Sequence, residues 1–152
     1  MGRARKNILD VHLELGPRGA AAARERGGVV ILIDALRAGA TIVTALGMGM
    51  AAVRPVRDVE ECEGEVTAGE REGRKLPHVT HGNSPTELSK QDYSGKTLVL
   101  TTTNGTDCLL AADGSGVTVM IGTTLNRTAV AAAALEEARN LGRPITLLMA
   151  GR

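Results

Sequence analysis

The 152-residue sequence has no tryptophan, no phenylalanine and one tyrosine, so only 1% of it is aromatic. Any core must therefore be built from aliphatic side chains, and stacking platforms for nucleic-acid bases are missing. Cysteine is scarce too, and Cys62 and Cys108 lie far apart without the paired spacing of a zinc site. With nothing resembling a secretory signal ahead of them, they read as reduced thiols of a soluble, cytoplasmic protein. No apolar run approaches the roughly 20 residues of a membrane span. Neither sign of charge is in excess, since 18 Lys and Arg stand against 17 Asp and Glu for a formal net charge of +1. That balance excludes a basic nucleic-acid footprint and an acidic disordered tail. A Walker loop, a Gly-x-Gly-x-x-Gly turn and a Cys-based phosphatase loop are also lacking, which closes those routes to phosphate binding.

What the chain does have is 43% hydrophobic residues and a length that suits one α/β domain over residues 1–152. Short runs of branched aliphatics predict strands at Ile8 to Leu13, Val29 to Ile33, Ala52 to Val56, Thr97 to Leu100, Val117 to Ile121 and Ile145 to Met149. Several have no polar alternation, as expected of parallel strands covered on both faces. Helices are predicted over Ala38 to Met48, Asp58 to Ala68 and Asn126 to Leu141, with a further one running through Ala112. The alternating order predicts a three-layer α/β/α fold around one mostly parallel sheet, whose ligands bind beyond the carboxyl ends of the strands. Glu63 to Asn83 has no apolar period and reads as a functional or flexible loop.

Three segments carry polar residues suited to an anion, the first two of them at strand ends. In the first, Asp34 ends a buried strand and Arg37 follows at a helix start. An Asp there can coordinate Mg²⁺ and the guanidinium offers a bidentate fork, although on this segment alone a capping Asp with a surface Arg is the plainer explanation. In the second, Thr101, Thr102, Thr103, Asn104, Gly105 and Thr106 place hydroxyls and turn N–H groups where a helix begins. This suits an anion cradle, while a plain cap needs only one of these residues. The third is Gly82-Asn83-Ser84-Pro85-Thr86-Glu87, in which Ser84, Pro85 and Glu87 make a capping box and Asn83 is left over for a ligand. Asn126 reads as a helix cap, and His12, His78 and His81 as ordinary histidines.

Taken together, Val29 to Thr41, Ala68-Gly69-Glu70-Arg71-Glu72, Gly82-Asn83-Ser84-Pro85 and Leu98 to Thr106 resemble the 2-phosphosulfolactate phosphatase family in order and spacing. The resemblance continues through Gly122 to Asn126 and the closing Leu148-Met149-Ala150-Gly151. It implies an Mg²⁺-dependent hydrolase that removes phosphate from 2-phospho-3-sulfolactate, a step toward coenzyme M. It also implies Asp34 and Glu70 as metal ligands, and Asp34, Arg37, Asn83, Ser84 and Asn104 as catalytic residues. Arg37, Thr41, Arg71, Thr102, Thr103, Gly105 and Thr106 would then bind the small anionic substrate.

Three departures from the family pattern stand out. Family members continue into a C-terminal portion with a Glu-Asp pair, so part of the family fold is expected to be missing here. Thr80 stands where the family has an acidic residue, and Asp107 is expected to bring negative charge to the anion site. A non-catalytic anion-binding or interaction module is the competing expectation. Loss of covering elements would expose apolar surface, which predicts a homo-oligomer or a complementing C-terminal chain.

Overall fold

The computed structural model describes residues 9–151. Its strands form two four-stranded sheets rather than one, and helices pack against both. In the first sheet the order is β1 (Val11–Leu15), β8 (Ile145–Met149), β2 (Gly28–Ile33), β7 (Val117–Gly122), all parallel. In the second it is β3 (Ala52–Pro55), β6 (Thr97–Thr101), β4 (Val66–Arg71), β5 (Arg74–Lys75), with only β5 antiparallel. No helix among the described residues is long and apolar enough to cross a membrane.

The helices suit a core without large aromatics, because alanine lets helix and sheet approach closely. On one face of the first sheet, α1 (Gly16–Arg26) and α4 (Gly105–Ala112) bury Ala20, Ala23, Cys108 and Ala112 against Val30, Leu32 and Leu148. On the other, Ala134 and Ala138 of α5 (Arg127–Leu141) cover Val29, Ile31 and Ile145. The second sheet packs Val66, Ala68, Leu98 and Leu100 against α2 (Ala38–Gly47) and α3 (Pro85–Leu88). α5 does not cover the whole of its face. On the edge strand Val11, Leu13 and Leu15 are 59%, 65% and 61% exposed, an apolar row with no partner among the described residues.

Three sequence expectations are corrected. The first strand runs Val11–Leu15, two residues later than expected at its end, and Ile8 lies outside the described residues. Asp58 to Ala68 is not a helix, because this stretch turns and then enters β4. Its four glutamates leave no apolar stripe at helical spacing, and the buried groups here are Cys62 and then Val66, Thr67 and Ala68 in succession. Glu63 to Asn83 is not an open loop either. It holds the β4–β5 hairpin, and His81 then bridges in parallel to Ala68. Helix α1 is an element beyond those expected, and its helix signals are Pro17 in its first turn and a run of alanines ending at Arg24 and Arg26.

Candidate active-site cleft

Four strand ends converge on one cleft. Asp34 follows β2, Glu70 sits near the end of β4, Thr102 to Asn104 follow β6, and Gly151 follows β8. The cleft has a volume of about 440 Å³, and Asp34, Arg37, Glu70, Asn83, Thr102, Thr103 and Asn104 all line it. Thus the structure brings together residues as far apart in sequence as Asp34 and Gly151.

Asp34 is held where two helices begin. Its carbonyl accepts Gly39 N at 3.0 Å, so it closes the first turn of α2. A Cβ on Gly105 would come within 2.5 Å of Asp34 Oδ2 and 2.7 Å of the Ala38 Cβ. Glycine at the start of α4 is therefore what lets the two helices meet over this carboxylate. Burial pushes the Asp34 carboxyl above its ordinary value; the Ala38 N–H opposes the shift and the negative charge of Glu70 adds to it.

Glu70 is 7% exposed and tied on three sides. Oε1 accepts Thr103 N at 2.8 Å, Oε2 accepts Gly73 N at 2.7 Å, and the Thr103 hydroxyl lies within 3.0 and 3.1 Å of the two oxygens. Desolvation pushes this carboxyl up, but the two N–H groups, the hydroxyl and the Arg37 charge outweigh it and hold it below its ordinary value. The same threonine accepts Glu72 N at 3.1 Å, so the hairpin turn is anchored to the β6 loop. That turn has Glu72 and Gly73 at φ 53° and 79°, left-handed backbone that glycine adopts without strain. Arg37 Nη2 donates to Gly73 O at 3.4 Å, a long contact that leaves most of its donors to the cleft.

Asn83 is 4% exposed, and its Oδ1 accepts the Thr41 hydroxyl at 2.7 Å. Thr102 and Thr106 cap α4 reciprocally. Thr106 N donates to Thr102 Oγ1 and Thr102 N to Thr106 Oγ1, both at 3.1 Å. With Thr103 N committed to Glu70, the N–H groups of Asn104 and Gly105 have no acceptor among the described residues.

Several expected site residues do not line this cleft. Ser84 caps α3, its Oγ accepting Glu87 N at 3.3 Å, while Glu87 Oε2 accepts Gly82 N at 3.0 Å. Arg71 is committed to protein oxygens, donating to Glu70 O at 2.8 Å, Arg57 O at 3.0 Å and Thr101 Oγ1 at 2.9 Å. Thr41 and Thr106 are buried at 0% and 1% exposure, behind the lining rather than in it, and Gly105 serves as the spacer beneath Asp34. Asp107 does not face the anion site, because it pairs with Arg57 at 3.0 Å on the surface. Thr80 is also elsewhere, exchanging hydrogen bonds with Thr67 as short as 2.6 Å. Conversely, Leu36, Glu72, Gly73 and Gly151 line the cleft unannounced by the sequence. Only the Glu-Gly turn signal could have found Glu72 and Gly73.

His81 is 6% exposed, with Nε2 2.7 Å from the Tyr93 hydroxyl and Nδ1 3.7 Å from Glu87 Oε1. His78 is exposed, 3.1 Å from Val59 O. Neither lines the cleft.

Residues 17–152 match the family model described as 2-phosphosulpholactate phosphatase. A 2-phosphosulfolactate phosphatase of Methanothermobacter thermautotrophicus is 40% identical over 132 residues, which cover 84% of this chain and 54% of the relative. A probable 2-phosphosulfolactate phosphatase of Clostridium acetobutylicum is 36% identical over 129 residues, 80% of this chain and 53% of that protein. One from Thermotoga maritima is 49% identical over 84 residues, 52% of this chain and 37% of the relative. The chain thus spans about half the length, or less, of these curated relatives. With a family match that runs through every strand end of the cleft, this chain belongs to the 2-phosphosulpholactate phosphatase family.

Proposed function

We propose that the chain is a phosphatase-like protein whose cleft binds a small acidic phosphate monoester, 2-phospho-3-sulfolactate or a close relative, and hydrolyses it to the hydroxy acid and phosphate. The observation that carries this reading is the meeting of Asp34, Arg37, Glu70, Asn83 and Asn104 in one cleft at strand ends. Phosphoryl transfer needs chiefly in-line positioning and dispersal of charge over the equatorial oxygens. The Arg37 guanidinium, the Asn83 amide and the turn N–H group of Asn104 are the donors for that work. The two carboxyls have been pushed apart, Asp34 upward and Glu70 downward. The two carboxyls thus differ in environment, and Glu70 is the one that the surrounding donors hold in its ionised form.

Mg²⁺ fits the donors present, though only just. Among the described residues no group of three or more His, Cys, Asp or Glu could hold a metal. Mg²⁺, however, is commonly bound through one or two carboxylates together with substrate oxygens and water. Asp34, Glu70 and Glu72 against Arg37 also leave the cleft with an excess of negative charge that would repel a phosphate. Asp34 and Glu70 would hold the cation, which when bound offsets that repulsion and polarises the phosphoryl oxygens.

The test is phosphate release from phosphosulfolactate and from generic monoesters in Mg²⁺, with the wild-type chain and Asp34→Ala. Turnover that disappears in the variant supports the reading. Turnover that survives Asp34→Ala refutes it.

A second reading is a non-catalytic anion-binding module, which needs only the cleft donors Arg37, Asn83 and Asn104. Binding of phosphate without release from any ester would select it. Under either reading we infer a second copy or a complementing chain as partner, supported by the apolar row Val11, Leu13 and Leu15. The free, buried thiols Cys62 and Cys108 are consistent with a cytoplasmic setting, and coenzyme M formation is the pathway that the family likeness suggests.

A further inference from the structure

Thr41 and Asn83 are both polar, both buried, and 42 residues apart in sequence. Burying two such side chains is unfavourable unless each finds a partner. The backbone of Thr41 is fixed in the first turn of α2, where its N–H donates to Arg37 O at 3.0 Å. Its hydroxyl commits its one proton to Asn83 Oδ1 at 2.7 Å. An amide has two ends of nearly equal shape, a carbonyl that repels an anion and an NH₂ that attracts one. With Oδ1 held from behind, the NH₂ is the end with no acceptor among the described residues, and Asn83 lines the same cleft as Arg37.

We propose that Thr41 is a positioning residue whose buried hydroxyl locks the Asn83 amide with its NH₂ toward the cleft, so that this wall accepts a ligand oxyanion. The inference rests on the anion-binding reading of the cleft and deepens it, since it names what gives an uncharged amide a fixed polarity. Thr41 is thereby moved from substrate contact to support. A purely structural role would need only the satisfied hydrogen bond, with no effect on which end of the amide meets the ligand.

The experiment titrates the ¹⁵N-labelled chain with inorganic phosphate in Mg²⁺, following heat and the Asn83 side-chain NH₂ signals, which Asn83→Asp identifies by their loss. In the wild type those signals should move in step with saturation. Thr41→Ser keeps the donor and should bind within about twofold of wild type, whereas Thr41→Val should bind roughly tenfold more weakly. Wild-type affinity in Thr41→Val, with binding still lost in Arg37→Ala, would overturn the lock and leave the anion cleft standing. Absence of phosphate binding by the wild-type chain would refute the cleft reading, and the lock with it. If Thr41→Val does not fold, the wild-type titration decides alone. Stationary Asn83 NH₂ signals during saturable, Arg37-dependent binding would overturn the proposal.

Discussion

Glu70→Gln is isosteric, yet it should be one of the more damaging conservative changes in this chain. The carboxylate accepts Thr103 N on one oxygen and Gly73 N on the other, at 2.8 and 2.7 Å, with the Thr103 hydroxyl between them. Glutamine has only one oxygen, so in either orientation its NH₂ must face a backbone N–H. One charge-assisted bond is then lost, the others weaken, and a buried donor is left without an acceptor. Hydrogen bonds to charged groups contribute about 1.5–3 kcal/mol and an unsatisfied buried donor costs about 1–3 kcal/mol, so a net loss of about 3 kcal/mol is expected. For a chain of this size that is roughly 6–12 °C in melting temperature.

The pH dependence carries the sign. Because the folded state holds the Glu70 carboxyl below its ordinary value, its contribution is full above that ordinary value and fades as pH falls through the folded one. Calorimetric melts should therefore show the gap between wild type and Glu70→Gln wide at pH 7 and narrowing below about pH 4. A double cycle with Thr103→Val should show strong coupling, since both side chains belong to one network. Melting within a degree of wild type at pH 7, or a gap that does not change with acid, would refute the argument.

Gly105→Ala places a Cβ 2.5 Å from Asp34 Oδ2, so overpacking should outweigh the helix propensity gained and cost about 1–3 kcal/mol by chemical denaturation. Gly47→Ala, at the end of α2 with nothing within 4 Å, is the control and should be neutral or slightly stabilising. Burial, helped by the nearby Asp107 and Asp34 charges, pushes the Cys108 thiol up to about 11. Native protein at pH 8 should leave Cys108 unmodified by a thiol reagent that labels it at once in denaturant. Because burial and Glu70 raise the Asp34 carboxyl, Mg²⁺ affinity measured by calorimetry should fall as pH is lowered into the acid range, with proton release on binding. Asp34→Asn should remove that proton release.

The parts of the fold that were legible in the sequence are those whose residues carry their own signal. Val29 to Ile33 and Ile145 to Met149 read as covered parallel strands and became β2 and β8. α5 ends where Gly142 takes a left-handed φ of 61°. β4 was illegible because Thr-Ala-Gly-Glu has little strand propensity and is held instead by pairing with β6 and by the bridge to His81. The helix expected in its place drew on a capping Asp58 that no apolar stripe followed. At the site, Asp34, Arg37, Asn83 and Asn104 were readable from strand-end position and residue type, whereas Glu70 emerged only through family likeness. Arg71 and Thr41 belonged to the same motifs, but their donors turn inward to partners 30 and 42 residues away, which no local pattern reveals. The charge of Asp107, beside the anion loop in sequence, is taken up by Arg57, 50 residues distant.

The most direct test is a diffraction experiment on crystals soaked with Mg²⁺ and tungstate, a heavy mimic of phosphate. An anomalous peak in the cleft within hydrogen-bonding distance of the Arg37 guanidinium and the Asn83 amide is the outcome expected. A saturating tungstate site elsewhere, with this cleft free of density, would contradict the claim that these side chains form one oxyanion pocket.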